Sequence, residues 1–212
     1  MTLIKQIKSL QKTDISSDIN SRLLDFKSFQ NKPKEDWFSE LCFCLLTANS
    51  KAVTAIAIQK ELGYSGFVNK TQEEIKDCIK RNKHRFHNNK SKFIVEARKN
   101  IDIKEKINNI INANNSSKSA RDWLVENIKG LGYKEASHFL RNVGFTDLAI
   151  LDRHVLNLLV EDKKLEEKPK SLNRNKYVEI ENLLQKMCDN LKISQAELDM
   201  YLWYMKTGKV LK

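Results

Sequence analysis

Apolar residues in this chain recur every three to four positions. Ala136, Phe139, Leu140 and Val143 fall at i, i+3, i+4 and i+7, the spacing of one buried helical stripe. Leu198, Tyr201, Leu202 and Met205 repeat that spacing near the end of the chain. Followed throughout, the pattern predicts helices at about 2–12, 16–30, 35–47, 50–62, 72–81, 89–100, 102–113, 119–129, 134–143, 153–161, 172–190 and 195–207. Three starts carry capping chemistry, with a hydroxyl three residues before a carboxylate: Thr71 with Glu74, Ser119 with Asp122, and Ser194 with Glu197. The polar run Ala113-Asn114-Asn115-Ser116-Ser117 reads as a loop. The highly charged stretch 161–176, with Pro169, reads as an exposed connection between lobes. Nothing periodic argues for an extended sheet.

Composition supports the helical reading. Six glycines and two prolines in 212 residues are too few for the turns of a sandwich or barrel. The length suits one large domain or two small lobes. Charge narrows the class of partner. The net charge of +11 predicts attraction to a polyanion, nucleic acid being the commonest, while a lysine-rich solvated surface is the plainer alternative. Cys42 and Cys44 lie in an apolar run and read as small buried hydrophobes, and with Cys78 and Cys188 they match neither zinc nor iron–sulfur spacing. No metal or cofactor is expected. The first residues lack the apolar core of a signal peptide, and no run approaches a membrane span. The expected location is cytoplasmic, associated with the nucleoid.

The segment Lys129-Gly130-Leu131-Gly132-Tyr133-Lys134 carries the first candidate chemistry. A Gly-x-Gly turn joins two short helices. Glycines allow a sharp turn and close approach of a ligand to the backbone. Amides opening the next helix can then hold a phosphate, without reading a base. By itself this is an ordinary helix connection. Lys134 sharpens it: with His138 and Arg141 it falls off the apolar face, making a basic edge beside the turn. A lysine in water is protonated at neutral pH. The positive end of a helix and a neighbouring cation such as Lys129 favour the neutral amine, which attacks carbon and forms Schiff bases. Asp152 follows the apolar segment 148–151 and stands where a carboxylate caps a helix. One carboxylate has oxygen enough to cap a helix and to face a developing positive charge.

Here the chain resembles the helix-hairpin-helix DNA glycosylase superfamily, and within it the archaeal-type class of 8-oxoguanine DNA glycosylase with AP-lyase activity. The match is carried by 128–134, by Ile150-Leu151-Asp152-Arg153-His154, by Leu45-Leu46-Thr47-Ala48-Asn49-Ser50, and by the ending from Glu197 to Lys212. It spans most of the chain from about Trp37. The resemblance implies an all-α fold of two helical lobes with the active-site cleft between them. The domain would be a single one over 1–212, with the hairpin at about 119–143. It implies Lys134 as the Schiff-base lysine and Asp152 as the catalytic aspartate. It also implies DNA contacts from Lys129, Gly130, Gly132 and His154, with Asn49 filling the gap left by an extruded base. Trp203 and Phe86 are the expected stacking residues of the base pocket, Asp199 an acceptor for the guanine edge, and Lys212 a base-recognition residue. Lys129 departs from the proline common at its position, so two lysines compete for the role of nucleophile. Missing cluster cysteines argue against the endonuclease-III-like branch. The expected partner is double-stranded DNA carrying 8-oxoguanine, bound by a monomer. A glycosylase for another oxidised base, or a non-enzymatic DNA-binding module, are the competing readings.

Overall fold

The computed structural model describes residues 2–210. Among them lie twelve α-helices, one 3-10 turn (Arg98–Asn100) and no strand. In chain order these are α1 (Leu3–Leu10), α2 (Ile15–Phe29), α3 (Lys34–Thr47), α4 (Ala52–Asn69), α5 (Gln72–Arg81), α6 (His87–Ala97), α7 (Ile103–Asn114), α8 (Ser117–Asn127), α9 (Tyr133–Asn142), α10 (Arg153–Glu161), α11 (Arg174–Leu191) and α12 (Gln195–Thr207). Every helix expected from the apolar pattern is present. The largest difference is at α4, which resumes after a break at Gly63 (φ 58°, ψ −177°) and runs on to Asn69. The expected helix stops at 62, whereas Gly63 makes a kink and the helix continues beyond it.

The capping signals divide. Thr71 forms a complete capping box with Glu74, and Ser194 accepts from the Glu197 amide at 3.1 Å. Ser119 does not cap: α8 begins at Ser117, so Ser119 lies inside its first turn. The polar loop before it is shorter than expected, because α7 continues to Asn114 and turns at a left-handed Asn115 (φ 47°).

The chain forms two compact units, Met1–Gln30 with Leu140–Lys212, and Asn31–Phe139. The chain passes from one to the other between α2 and α3 and within α9. The charged stretch 161–176 does not mark such a boundary. It joins α10 to α11 inside one unit. Charge and proline signal an exposed loop, which is a different property from a change of core.

In the 31–139 unit, α3 is the hub. Glu35 and Asp36 in its first turn complement the helix dipole. From Trp37 to Thr47 nearly every residue is buried, so the helix is apolar all round, as a central helix must be. It packs on α4, α6 and α7. Trp37 meets Phe139 edge-on at 6.2 Å, and Phe38 meets Tyr64 at 6.3 Å. In the other unit α12 packs on α2, α10 and α11. All four cysteines are free and buried, and burial pushes the Cys42 thiol far above its ordinary range. No helix among the described residues is long and apolar enough to cross a membrane.

Candidate active site

The hairpin begins where α8 ends at Asn127. Leu131 donates to the Ile128 carbonyl at 3.1 Å, and Ala136 donates to the Gly132 carbonyl at 2.9 Å, which opens α9. The amides of Lys134 and Glu135, in that first turn, have no helical acceptor. The two glycines differ. Gly130 has φ +94° and lies against the Phe93 ring, which a Cβ would overlap. Gly132 has room for one, its nearest neighbour being Glu135 Oε2 at 3.4 Å. The turn therefore requires glycine at Gly130 alone.

Helix α6 lies along this turn. Phe93 packs under Gly130, and Glu96 Oε1 is 3.7 Å from Lys129 Nζ. The two candidate lysines are thereby distinguished. Lys129 is well exposed and faces Glu96, whereas Lys134 is 26% exposed at its side chain, with Nζ 3.8 Å from Glu135 Oε1. The cation near Lys134 is Lys90, one turn before Phe93 on α6. Lys90 is 5% exposed. Burial pushes its amine down to about 8, with Glu135 opposing that shift and Lys134 adding to it.

The expected basic edge is not a surface. His138 is buried, edge-on to Phe43 at 5.8 Å. Arg141 is buried too: its Nη1 is 2.5 Å from Asp199 Oδ2, its Nη2 donates to Asn142 Oδ1 at 2.9 Å, and its guanidinium stacks 4.8 Å from the Phe26 ring. Helical spacing separates faces, and here the second face meets other helices instead of water. The same pair engages Asp199, so the carboxylate expected at a base edge is an ion-pair partner within its own unit.

Asp152 caps α10. Its Oδ1 accepts from the amides of His154 and Val155, both at 2.8 Å. Among the described residues no hydrogen bond goes to Oδ2. The extended segment before it has no strand to pair with. Side chains of α11 replace one: Ala149 N donates to Glu181 Oε1 at 3.0 Å, Tyr177 Oη donates to the Ala149 carbonyl at 2.8 Å, and Leu151 N donates to Tyr177 Oη at 3.2 Å. Backbone groups buried without such partners would cost about 1–3 kcal/mol each. These bonds fix the direction from which Asp152 enters its helix. His154 and Trp203 come together edge to face at 5.5 Å, and Trp203 Nε1 is buried with no hydrogen-bond partner among the described residues.

Asn49 is exposed and left-handed (φ 59°), in the turn that follows α3. His84 ties that region to Phe86. Its Nε2 lies 2.9 Å from the Leu46 carbonyl and its Nδ1 accepts the Phe86 amide at 3.1 Å. This pairing requires the neutral imidazole with its proton on Nε2, and burial does lower its pKa. Phe86 is half-buried, with the Arg85 guanidinium 4.4 Å from its ring. Lys212 lies outside the described residues.

A family profile described as 8-oxoguanine DNA glycosylase matches residues 19–193. A relative in Methanocaldococcus jannaschii, named 8-oxoguanine DNA glycosylase/AP lyase, is 49% identical over 212 residues and covers 100% of both chains. The chain belongs to the 8-oxoguanine DNA glycosylase family. Two solved structures of the family agree with the fold. The Methanocaldococcus jannaschii glycosylase/lyase in complex with a 15mer DNA containing 8-oxoguanine has a TM-score of 0.96 at 48% identity, covering 100% of both chains. The enzyme of Thermotoga maritima has a TM-score of 0.90 at 38% identity, covering 99% of this chain and 98% of that one.

For this family member, three features of the geometry were not singled out from sequence: Lys90, the His84 bridge, and the Tyr177–Glu181 support. A signal existed for Lys90. With Ile94 and Ala97, both buried, it stands at i, i+4 and i+7 on the inner face of α6. Nothing local marks Tyr177 or Glu181, whose partners are 26 to 32 residues away in sequence.

Proposed function

We propose that this chain excises 8-oxoguanine from double-stranded DNA and then nicks the strand through a lysine Schiff base, acting as a monomer in the cytoplasm, with the nucleoid. The observation that carries the reading is the hairpin, which sets a part-buried lysine in the first turn of α9 directly after a tight glycine turn. Full-length similarity to relatives named 8-oxoguanine DNA glycosylase/AP lyase supports it.

In the proposed reaction the damaged nucleotide leaves the duplex at a cost of roughly a few kcal/mol, which contacts to the base offset. The neutral Lys134 amine attacks the sugar C1′ as the glycosidic bond breaks. The bonding electrons leave with the base, which takes up a proton. The Asp152 carboxylate, aimed by its Oδ1 bonds to two amides, stabilises the positive sugar. Ring opening gives the protonated imine at C1′. Loss of a C2′ proton then expels the 3′ phosphate, which completes β-elimination. Asn49 fills the vacated stack. Lys129, Gly130, Gly132 and His154 hold the backbone, while Phe86, Trp203 and Lys212 contact the base. Asp199, paired with Arg141 through Oδ2, is the proposed acceptor for the guanine edge.

Borohydride trapping on a duplex with one 8-oxoguanine tests the assignment. Wild type should give a covalent adduct and release the base. Lys134→Gln should give no adduct above background, while Lys129→Gln keeps it. Full trapping by Lys134→Gln would overturn the assignment, and a lesion panel without 8-oxoguanine release would overturn the substrate.

A further inference from the structure

A buried lysine needs a reason. Lysine ammonium groups are almost never buried unless paired. Among the described residues Lys90 Nζ has no hydrogen bond and no ion-pair partner within 4 Å. It sits 6.0 Å from the Phe93 ring centroid. A packing role alone would be filled better by methionine or leucine.

Its placement is specific. Lys90, Phe93 and Glu96 follow one another at three-residue intervals on α6, and each meets the hairpin: Glu96 faces Lys129, Phe93 lies under Gly130, and Lys90 feels the charges of Glu135 and Lys134. Glu135 lies 3.8 Å from Lys134 Nζ, and its charge also reaches Lys90 from beyond ion-pair distance. Two ammonium groups around one carboxylate leave an excess positive charge in a partly desolvated place. Such a cluster readily loses a proton.

We propose that Lys90 is a positioning residue for Schiff-base formation: its buried charge, held on Phe93 beneath the hairpin, counters the hold of Glu135 and leaves the Lys134 amine available for attack on carbon. The inference rests on Lys134 being the nucleophile. The ionisable groups around Lys90 are Lys134 and Glu135 on α9 and His84 before α6, with Glu96 and Lys129 further along the same face.

The test is the single-turnover rate of borohydride trapping on an abasic-site duplex, at saturating enzyme, from pH 6 to pH 9.5. Lys90→Met and Lys90→Arg are compared with wild type. Below pH 7, where Lys90 carries its charge, Lys90→Met should trap about 10-fold more slowly, the effect of one pKa unit. The deficit should close by pH 9, where wild-type Lys90 is itself largely neutral. Lys90→Arg keeps the charge and should stay within about 3-fold of wild type at pH 6–7. Lys90→Met should melt no lower than wild type. A rate loss by Lys90→Met that is the same at every pH would mean packing only and would overturn the proposal, as would no loss at pH 6. Trapping by Lys134→Gln would instead overturn the nucleophile assignment, a separate failure visible in a separate variant.

Discussion

Arg141 and Lys90 are both buried cationic residues, and the molecule treats them in opposite ways. Arg141 has a carboxylate, an amide oxygen and an aromatic face. Lys90 has an aromatic ring and no ion-pair partner within 4 Å among the described residues, with only the more distant charge of Glu135 in its favour. Guanidinium stays charged in a protein and can be fully satisfied by planar partners. An ammonium left partly unsatisfied loses its proton instead. The first arrangement holds helices together. The second keeps free energy in an unstable charge next to the residue proposed to react. A buried cation is therefore informative by what it lacks.

Breaking the satisfied pair should have the largest effect. Arg141→Met takes its cation from the buried Asp199 and should lower stability by about 3–5 kcal/mol in denaturant unfolding. Adding Asp199→Leu should recover most of that loss. If Arg141→Met unfolds like wild type, the pair is not what joins α9 to α12. Next comes the contact beneath Lys90. Gly130→Ala combines an unfavourable φ with overlap of the Phe93 ring, and should cost about 2–4 kcal/mol while slowing strand nicking. Gly132→Ala is its control and should be nearly silent.

Lys90→Met should move stability the other way. The Lys90 pKa is lowered on folding, so the cost of burying the ammonium is complete below about pH 8 and fades as pH rises toward the ordinary lysine range. Relief of that cost should be on the order of 1–2 kcal/mol at neutral pH and should vanish in alkali. A loss of stability would put Lys90 with Arg141 as a structural cation. The smallest effect concerns His84. Its pKa is lowered by burial, so its contribution is present above the ordinary histidine value and is lost as pH falls below about 6.5. Protonation removes the Nδ1 acceptor for the Phe86 amide, a bond worth about 1 kcal/mol. His84→Phe should flatten that part of the acid limb of stability against pH.

The same contrast explains what could be read from sequence. Helices were legible because their evidence is local: apolar stripes such as 136, 139, 140 and 143, and caps such as Thr71 with Glu74. The turn before Lys134 and the cap at Asp152 were legible because glycine and a carboxylate mark them locally. The environment of Arg141 was not, because periodicity gives the face of a residue and not what covers it, and Asp199 lies 58 residues on. Ser119 shows the same limit at short range, since three serines near one helix start offer competing caps. Lys90 was legible in principle. It occupies an apolar position of its helix, and a charge at such a position is a question the sequence already asks.

The Gly130–Phe93 contact has a mechanical consequence. Because the turn rests directly on the ring with no side chain between, hairpin and α6 are in close contact at this point. Whatever tilts the turn, a strand of DNA included, carries both amines with it. The proposed nucleophile and its neighbour would travel as one part, so their spacing would survive a tilt of the turn.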